Sequence, residues 1–168
     1  MRKNIFWIIL IIFAVAIQAT WLEAIRIRGV VPDIVLLIIV YFALNDGEER
    51  AMWTGALGGV FEDVAADTAL GHHVLCNVIV GYVVGRVGQR LVIDHPAVKA
   101  GMVFLAALGH GILFTFVAYV QQPELGVFYP VLSNVVPTAF YTAFITPVVF
   151  VMLDWSRKRY APLPKGTS

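Results

Sequence analysis

The side chains able to do chemistry in this sequence are few and fall close together. Glu62, Asp63 and Asp67 end a glycine-rich apolar stretch that begins at Gly55 and includes Gly58 and Gly59, and His72 and His73 follow directly after Gly71. Pro32-Asp33 opens another apolar stretch, and His110 stands between Gly109 and Gly111 in a third. Carboxylates and imidazoles together can ligate a metal ion. Adjacent histidines on one helix point about 100° apart, however, so they do not easily reach a single ion. Acids inside a membrane often relay protons, which is a second chemistry open to Asp63. The reading we favour for Asp63 is structural: a hydrogen-bond acceptor for backbone or hydroxyl groups where two helices turn. For His110 we favour a neutral ring bonded to a neighbouring helix over a proton carrier or ligand contact. The spacing fits no standard metal site, phosphate-cradling loop, haem ligand set or nucleophile–base pair. The sequence therefore predicts no catalytic residue, no metal, no cofactor and no enzyme, and nothing in it points to nucleic acid.

Composition sets what must position these residues. The chain has 168 residues, of which 60% are hydrophobic and 14% charged, with a mean hydropathy of +0.82. An ordinary soluble domain is about 45–50% apolar and about 25% charged. A water-facing globule of this size cannot hide such an excess, so we expect an all-α integral membrane protein forming one domain over residues 1–168. Six apolar segments are read as spans: Ile5–Leu22, Val31–Leu44, Ala51–Ala66, Ala69–Val87, Ala97–Val120 and Val131–Leu153. The second and third are short for a bilayer that takes about 20 residues. The start, Met1-Arg2-Lys3 before an apolar run with Ala14 and Ala16, resembles a signal peptide; because all that follows is also apolar, a retained first helix is the better reading. The single cysteine, Cys76, allows no internal disulfide.

Charge placement gives the orientation. With both termini cytoplasmic, ten of the twelve basic residues fall inside, and only Arg26 and Arg28 fall outside. That bias in short loops is the positive-inside signature. Glu62, Asp63 and Asp67 then approach the outer face. Asp63 lies about 18 Å along its helix from Ala51, within the outer part of the hydrocarbon layer. Asp63 and Asp67 share a helix face, with Glu62 about 100° away. Pro32 suits the first turn of the second helix, and Asp33 offsets the positive end of its dipole. This puts a further carboxylate on the same outer side.

Packing signals run through the other spans. Gly55 and Gly59, and likewise Gly81 and Gly85, are small-xxx-small pairs that let helices approach closely. Asn134, Thr138, Thr142 and Thr146 form a polar stripe on the last span, suited to interhelical hydrogen bonds. Pro137 and Pro147 each remove a backbone bond there and are expected to bend it. Asp154 is expected to pair with Arg157 or Lys158 at the cytoplasmic end, with small energetic weight.

Taken together, these residues resemble the rod shape-determining protein MreD family. The resemblance covers most of the chain and is most specific at Gly59-Val60-Phe61-Glu62-Asp63, with Leu70-Gly71 after a short turn. The Pro-Asp opening of the second helix, Pro147, and the basic run Arg157-Lys158-Arg159 also match. Glu62 and the His72-His73 pair depart from the family pattern. The resemblance implies a non-enzymatic component of the bacterial elongation machinery in the inner membrane, binding the bitopic protein MreC. Through it the protein would be linked to the glycosyltransferase RodA and its class B penicillin-binding protein, and to MreB filaments directly or indirectly. It also implies a fold similar to the substrate-binding S components of ECF vitamin transporters, which supplies the rival reading. Trp21, Asp33, Asp63, His72 and Tyr129 would then line an outward pocket; a lipid-binding protein would use the same cavity with apolar walls. The basic character of Asn45–Arg50 and Arg86–Lys99 equally suits anionic lipid headgroups. On the shape-determining reading, the interaction and structural candidates are Pro32, Asp33, Gly55, Gly59, Glu62, Asp63 and Gly71. The acidic cluster and the glycine face of the third helix would shape the surface that receives MreC.

Overall fold

The computed structural model describes residues 2–20, 30–66, 71–88, 95–121 and 128–160. Among them run six helices: α1 (Arg2–Thr20), α2 (Ile34–Asp46), α3 (Glu48–Ala65), α4 (His72–Gly88), α5 (Pro96–Gln121) and α6 (Val136–Tyr160). Each predicted span corresponds to one helix. A single turn at Phe128–Pro130 and a wider π-helical stretch at Val131–Val135 lead directly into α6. That irregularity lies just before Pro137, which has no N–H to donate to the preceding turn. Pro147, by contrast, sits inside α6 without ending it.

The polar break expected over Asn45–Arg50 shrinks to one residue. Gly47 alone separates α2 from α3, at φ 91°, with its N–H donated to the Phe42 carbonyl at 3.1 Å. A backbone turned that way suits a residue without Cβ.

α2 is the core of the bundle. Every residue from Val35 to Ala43 is buried, because the helix is apolar on all sides and the other helices surround it. Among the described residues two stretches are long and apolar enough to cross a membrane by themselves, Pro96–Gln121 and Phe128–Arg159; α2, with 13 residues, is not. At 1.5 Å per residue α2 spans only about 20 Å.

α3 and α4 make the most extensive helix pair. Glycine is the reason. A Cβ on Gly55 would lie 2.6 Å from the Asn77 carbonyl oxygen, and one on Gly59 would lie 2.5 Å from the Val74 backbone. A Cβ on Gly81 would lie 2.9 Å from the Ala51 carbonyl oxygen, and Gly85 is packed equally tightly on the Glu48 backbone. The two small-residue pairs thus face each other along an antiparallel seam. α1 joins α3 through Trp7, whose Nε1 donates to Thr54 Oγ1 at 2.9 Å and whose ring lies 4.5 Å under the Arg50 guanidinium.

The end of the bundle carrying Gly47 is the basic one, with Arg50, Arg86, Lys99 and Arg157–Arg159 all in helix turns near it. Its ion pairs differ from the expected ones. Asp154 accepts the Tyr41 hydroxyl at 2.6 Å, while Arg157 reaches across to Asp46 with bonds of 2.7 and 3.1 Å. Both residues thus tie α6 to α2, and among the described residues Asp154 makes no ion pair with Arg157 or Lys158.

Candidate functional site

The shortness of α2 creates the site. Asp33, at its start, receives its position from α6: the Asp33 N–H donates to Thr142 Oγ1 at 3.0 Å. Thr142 lies 14 residues beyond Phe128, about 21 Å along the last helical stretch. The first turn of α2 is therefore sunk deep between the longer α5 and the Phe128–Tyr160 stretch, and a cavity of about 500 Å³ lies over it.

Every free N–H at this sunken helix end is satisfied by the protein. Gln18, in the last turn of α1, accepts from the Ile34 and Val35 amides at 2.9 and 3.0 Å. Asp33 caps its own helix, with Oδ1 accepting from the Leu36 N–H at 2.8 Å and its carbonyl accepting from Leu37 at 3.2 Å. The cost of burying a helix terminus is met in full.

Gln18 also carries the connection to Glu62. Its Nε2 donates to Glu62 Oε1 at 2.9 Å, and Asn77 Nδ2 donates to Glu62 Oε2 at 2.7 Å. One amide side chain thus links α1, α2 and α3, and the buried Glu62 is bonded at both oxygens.

Asp63 points the other way, into the turn between α3 and α4. Its Oδ2 accepts the Gly71 N–H at 2.7 Å and its Oδ1 accepts the His73 N–H at 2.9 Å. It caps α4 from the preceding helix, and its side chain is fully buried. Gly71 takes φ 105° at this turn, a conformation that glycine adopts without strain. His73 turns its ring Nδ1 back onto Asp63 Oδ1 at 2.8 Å. His72 stacks on Phe114 with ring centroids 4.0 Å apart and approaches the Phe114 carbonyl with Nε2 at 3.1 Å.

His110 of α5 faces Asp33 across the cavity, with Nδ1 3.8 Å from Asp33 Oδ2, too long for a hydrogen bond. Its Nε2 is buried and has no partner among the described residues. The expected bond from His110 to a neighbouring helix is not made among the described residues: the ring reaches towards α2 but stops 3.8 Å from Asp33 Oδ2.

Of the residues singled out from sequence, Pro32, Asp33, His110, Asn134 and Thr138 line the cavity, and Glu62 adjoins it through Gln18. Asp63 and Gly71 belong to the α3–α4 turn, and Gly55 and Gly59 to the α3–α4 seam. Tyr129 is 81% exposed and does not line the cavity, and His73, not His72, does. Trp21, Asp67 and Leu70 lie outside the described residues. Gln18, Asn77 and Phe114 were not singled out in the sequence. Gln18 had a signal, as the first polar residue after an unbroken apolar run from Ile5 to Ile17; the other two had none.

Among the described residues no group of three His, Cys, Asp or Glu is placed to hold a metal ion. The walls carry the Asp33 carboxylate, the imidazoles of His73 and His110, the rings of Phe114 and Tyr119, and the neutral polar side chains of Asn134 and Thr138, an arrangement suited to holding a molecule. Over residues 1–157 the chain matches the family described as rod shape-determining protein MreD. No curated protein and no solved structure matches it.

Proposed function

Because the chain belongs to the MreD family of rod shape-determining membrane proteins, we propose that it is a non-enzymatic, multi-pass component of the elongation complex in the bacterial inner membrane. In this reading both termini are cytoplasmic, and the basic end of the bundle at Gly47 faces the cytoplasm. The protein binds MreC directly and supports lateral peptidoglycan synthesis by RodA and its class B penicillin-binding protein. MreB is linked directly or through MreC, and membrane lipids surround the bundle.

The observation that carries the MreC assignment is the unequal use of glycine. Gly55 and Gly59 are committed to α4, so the seam of the third helix is not free for a partner. Gly101 and Gly109 of α5 are exposed, and a Cβ on either would meet nothing within 4 Å among the described residues. With Leu105 between them they form a ridge at i, i+4 and i+8, beside an apolar groove of about 380 Å³ between α4 and α5. Exposed small residues in a membrane helix suit the close approach of another helix, and the single membrane helix of a bitopic partner fits that description.

The test is gentle purification of the tagged chain from native membranes, followed by mass spectrometry, for the wild type and for Gly109→Leu. Recovery of an MreC-like protein with the wild type and its loss with Gly109→Leu is the expected result. The second reading, a substrate-binding subunit of a transporter, draws support from the cavity over α2. Recovery of a transporter T component with paired ATPases, and no MreC, would replace the first reading with that one.

A further inference from the structure

We propose that the cavity over the first turn of α2 is a binding site for a primary organic ammonium ion, held between Asp33 and His110 with its apolar body against Phe114. The inference stands apart from the MreC assignment, since it concerns the interior of the bundle and not the α5 ridge.

The ligand's charge follows from what the walls offer. A sunken helix N-terminus ordinarily attracts an anion through its free N–H groups. Here those groups are already taken by Gln18 and by Asp33 itself, so the helix end offers nothing to an anion, and the other donors on the walls, Tyr119, Asn134 and Thr138, are neutral. The one carboxylate on the walls is that of Asp33. Asp33 Oδ2 projects towards His110 Nδ1 at 3.8 Å, beyond hydrogen-bond length. No lysine or arginine lines the cavity among the described residues. A carboxylate at this depth is costly without a positive partner.

His110 supplies the second observation. Its side chain is only 12% exposed, and Nδ1, the nitrogen turned towards Asp33, makes no hydrogen bond among the described residues. Buried polar groups in native proteins are bonded in the great majority of cases. A neutral imidazole can accept at one nitrogen, and an ammonium has three donors and no acceptor. Two acceptors 3.8 Å apart can each receive one N–H from the same ammonium nitrogen at ordinary bond length. A metal ion fits less well, because the described residues group no three ligating side chains.

The shape agrees. The cavity, at about 500 Å³, falls in the range of small-molecule sites. Phe114, Leu36 and Ala107 give it apolar walls, and an aromatic face near the charged head adds a cation–π attraction. An ammonium on an apolar body can be a free amine or the headgroup of an aminophospholipid entering from the bilayer.

The experiment uses the full chain in detergent. Phenethylammonium chloride and its neutral counterpart 2-phenylethanol are compared by thermal unfolding and titration calorimetry. The expected result is saturable stabilisation by the ammonium alone, with affinity at least ten-fold weaker in Asp33→Asn, which keeps an oxygen for the α2 cap. Should that variant not fold, Ala118→Phe fills the cavity from α5 and is expected to abolish binding. Competition by phosphatidylethanolamine but not by phosphatidylglycerol would assign the site to a lipid headgroup; no competition by either would assign it to a free amine. Equal effects of ammonium and alcohol, or unchanged binding in both variants, would overturn the proposal. So would ammonium binding seen only after Arg26→Gln and Arg28→Gln, since the chain would then supply its own counterion.

Discussion

Asp63 at the end of α3 holds His73 of α4 twice, accepting its backbone N–H at 2.9 Å and meeting its ring Nδ1 at 2.8 Å with the same oxygen. The other oxygen takes the Gly71 amide. The carboxylate is thereby the N-terminal cap of α4, supplied from the neighbouring helix.

Asp63→Ala removes the acceptor for two part-buried backbone amides, at about 1–3 kcal/mol. Asp63→Asn keeps one acceptor and is expected to cost roughly half as much. Thermal unfolding in detergent should rank the proteins wild type, Asn, Ala. Equal midpoints for all three would show that the turn does not depend on this cap.

Glu62 is a different case, because Asn77 can adapt to it. Asn77 Oδ1 is buried without a partner among the described residues, while its Nδ2 donates to Glu62. In Glu62→Gln the new amide can accept from Gln18 and donate to Asn77 after that side chain flips. We expect a stability within about 1 kcal/mol of wild type for Glu62→Gln and a loss of about 2–3 kcal/mol for Glu62→Ala. A Gln variant as unstable as the Ala variant would mean that the network requires a carboxylate.

Gln18→Leu keeps the volume of the side chain but strips the acceptor from the Ile34 and Val35 amides and the donor from Glu62. A loss of about 3 kcal/mol or more is expected, since three buried groups lose their partner together. Hydrogen exchange should rise first at the start of α2. Faster exchange confined to α1 would contradict this account.

Glycines of similar appearance should respond oppositely to one methyl group. Gly59→Ala would push against the Val74 backbone, which cannot swing aside, and overpacking of that kind costs about 1–3 kcal/mol. Gly101→Ala meets open space and gains helix propensity, so it should leave the protein unchanged or up to about 1 kcal/mol more stable. Thermal unfolding of the two variants side by side decides the matter.

At the basic end, Tyr41→Phe removes the donor to the Asp154 carboxylate and should cost about 1–2 kcal/mol. Arg157→Gln breaks a more exposed pair with Asp46, and its effect should stay within about 1 kcal/mol and shrink further in high salt. A salt-insensitive loss well above that would show the pair to be shielded from solvent.

Much of this molecule is legible from the chain. The six helices follow from apolar runs of near-membrane length, and their breaks from Gly47, Gly71 and the polar segments between them. The anchoring role of Asp63 follows from its place in the last turn of α3, ahead of the turn into α4, and membership in the MreD family from residues near those same turns. Such features are local, so sequence spacing fixes them. The cavity is not local. It exists because α2 is 13 residues long and its first turn is bonded to Thr142, far down the final helix, a register that only packing sets. Gln18 became a hub because α1 places it between residues 16 and 44 positions away. The tertiary structure also decided which glycines are consumed and which are free, since Gly55 and Gly109 look alike in sequence. What differs is whether a neighbouring backbone lies against them, and that depends on where the other helices come to rest.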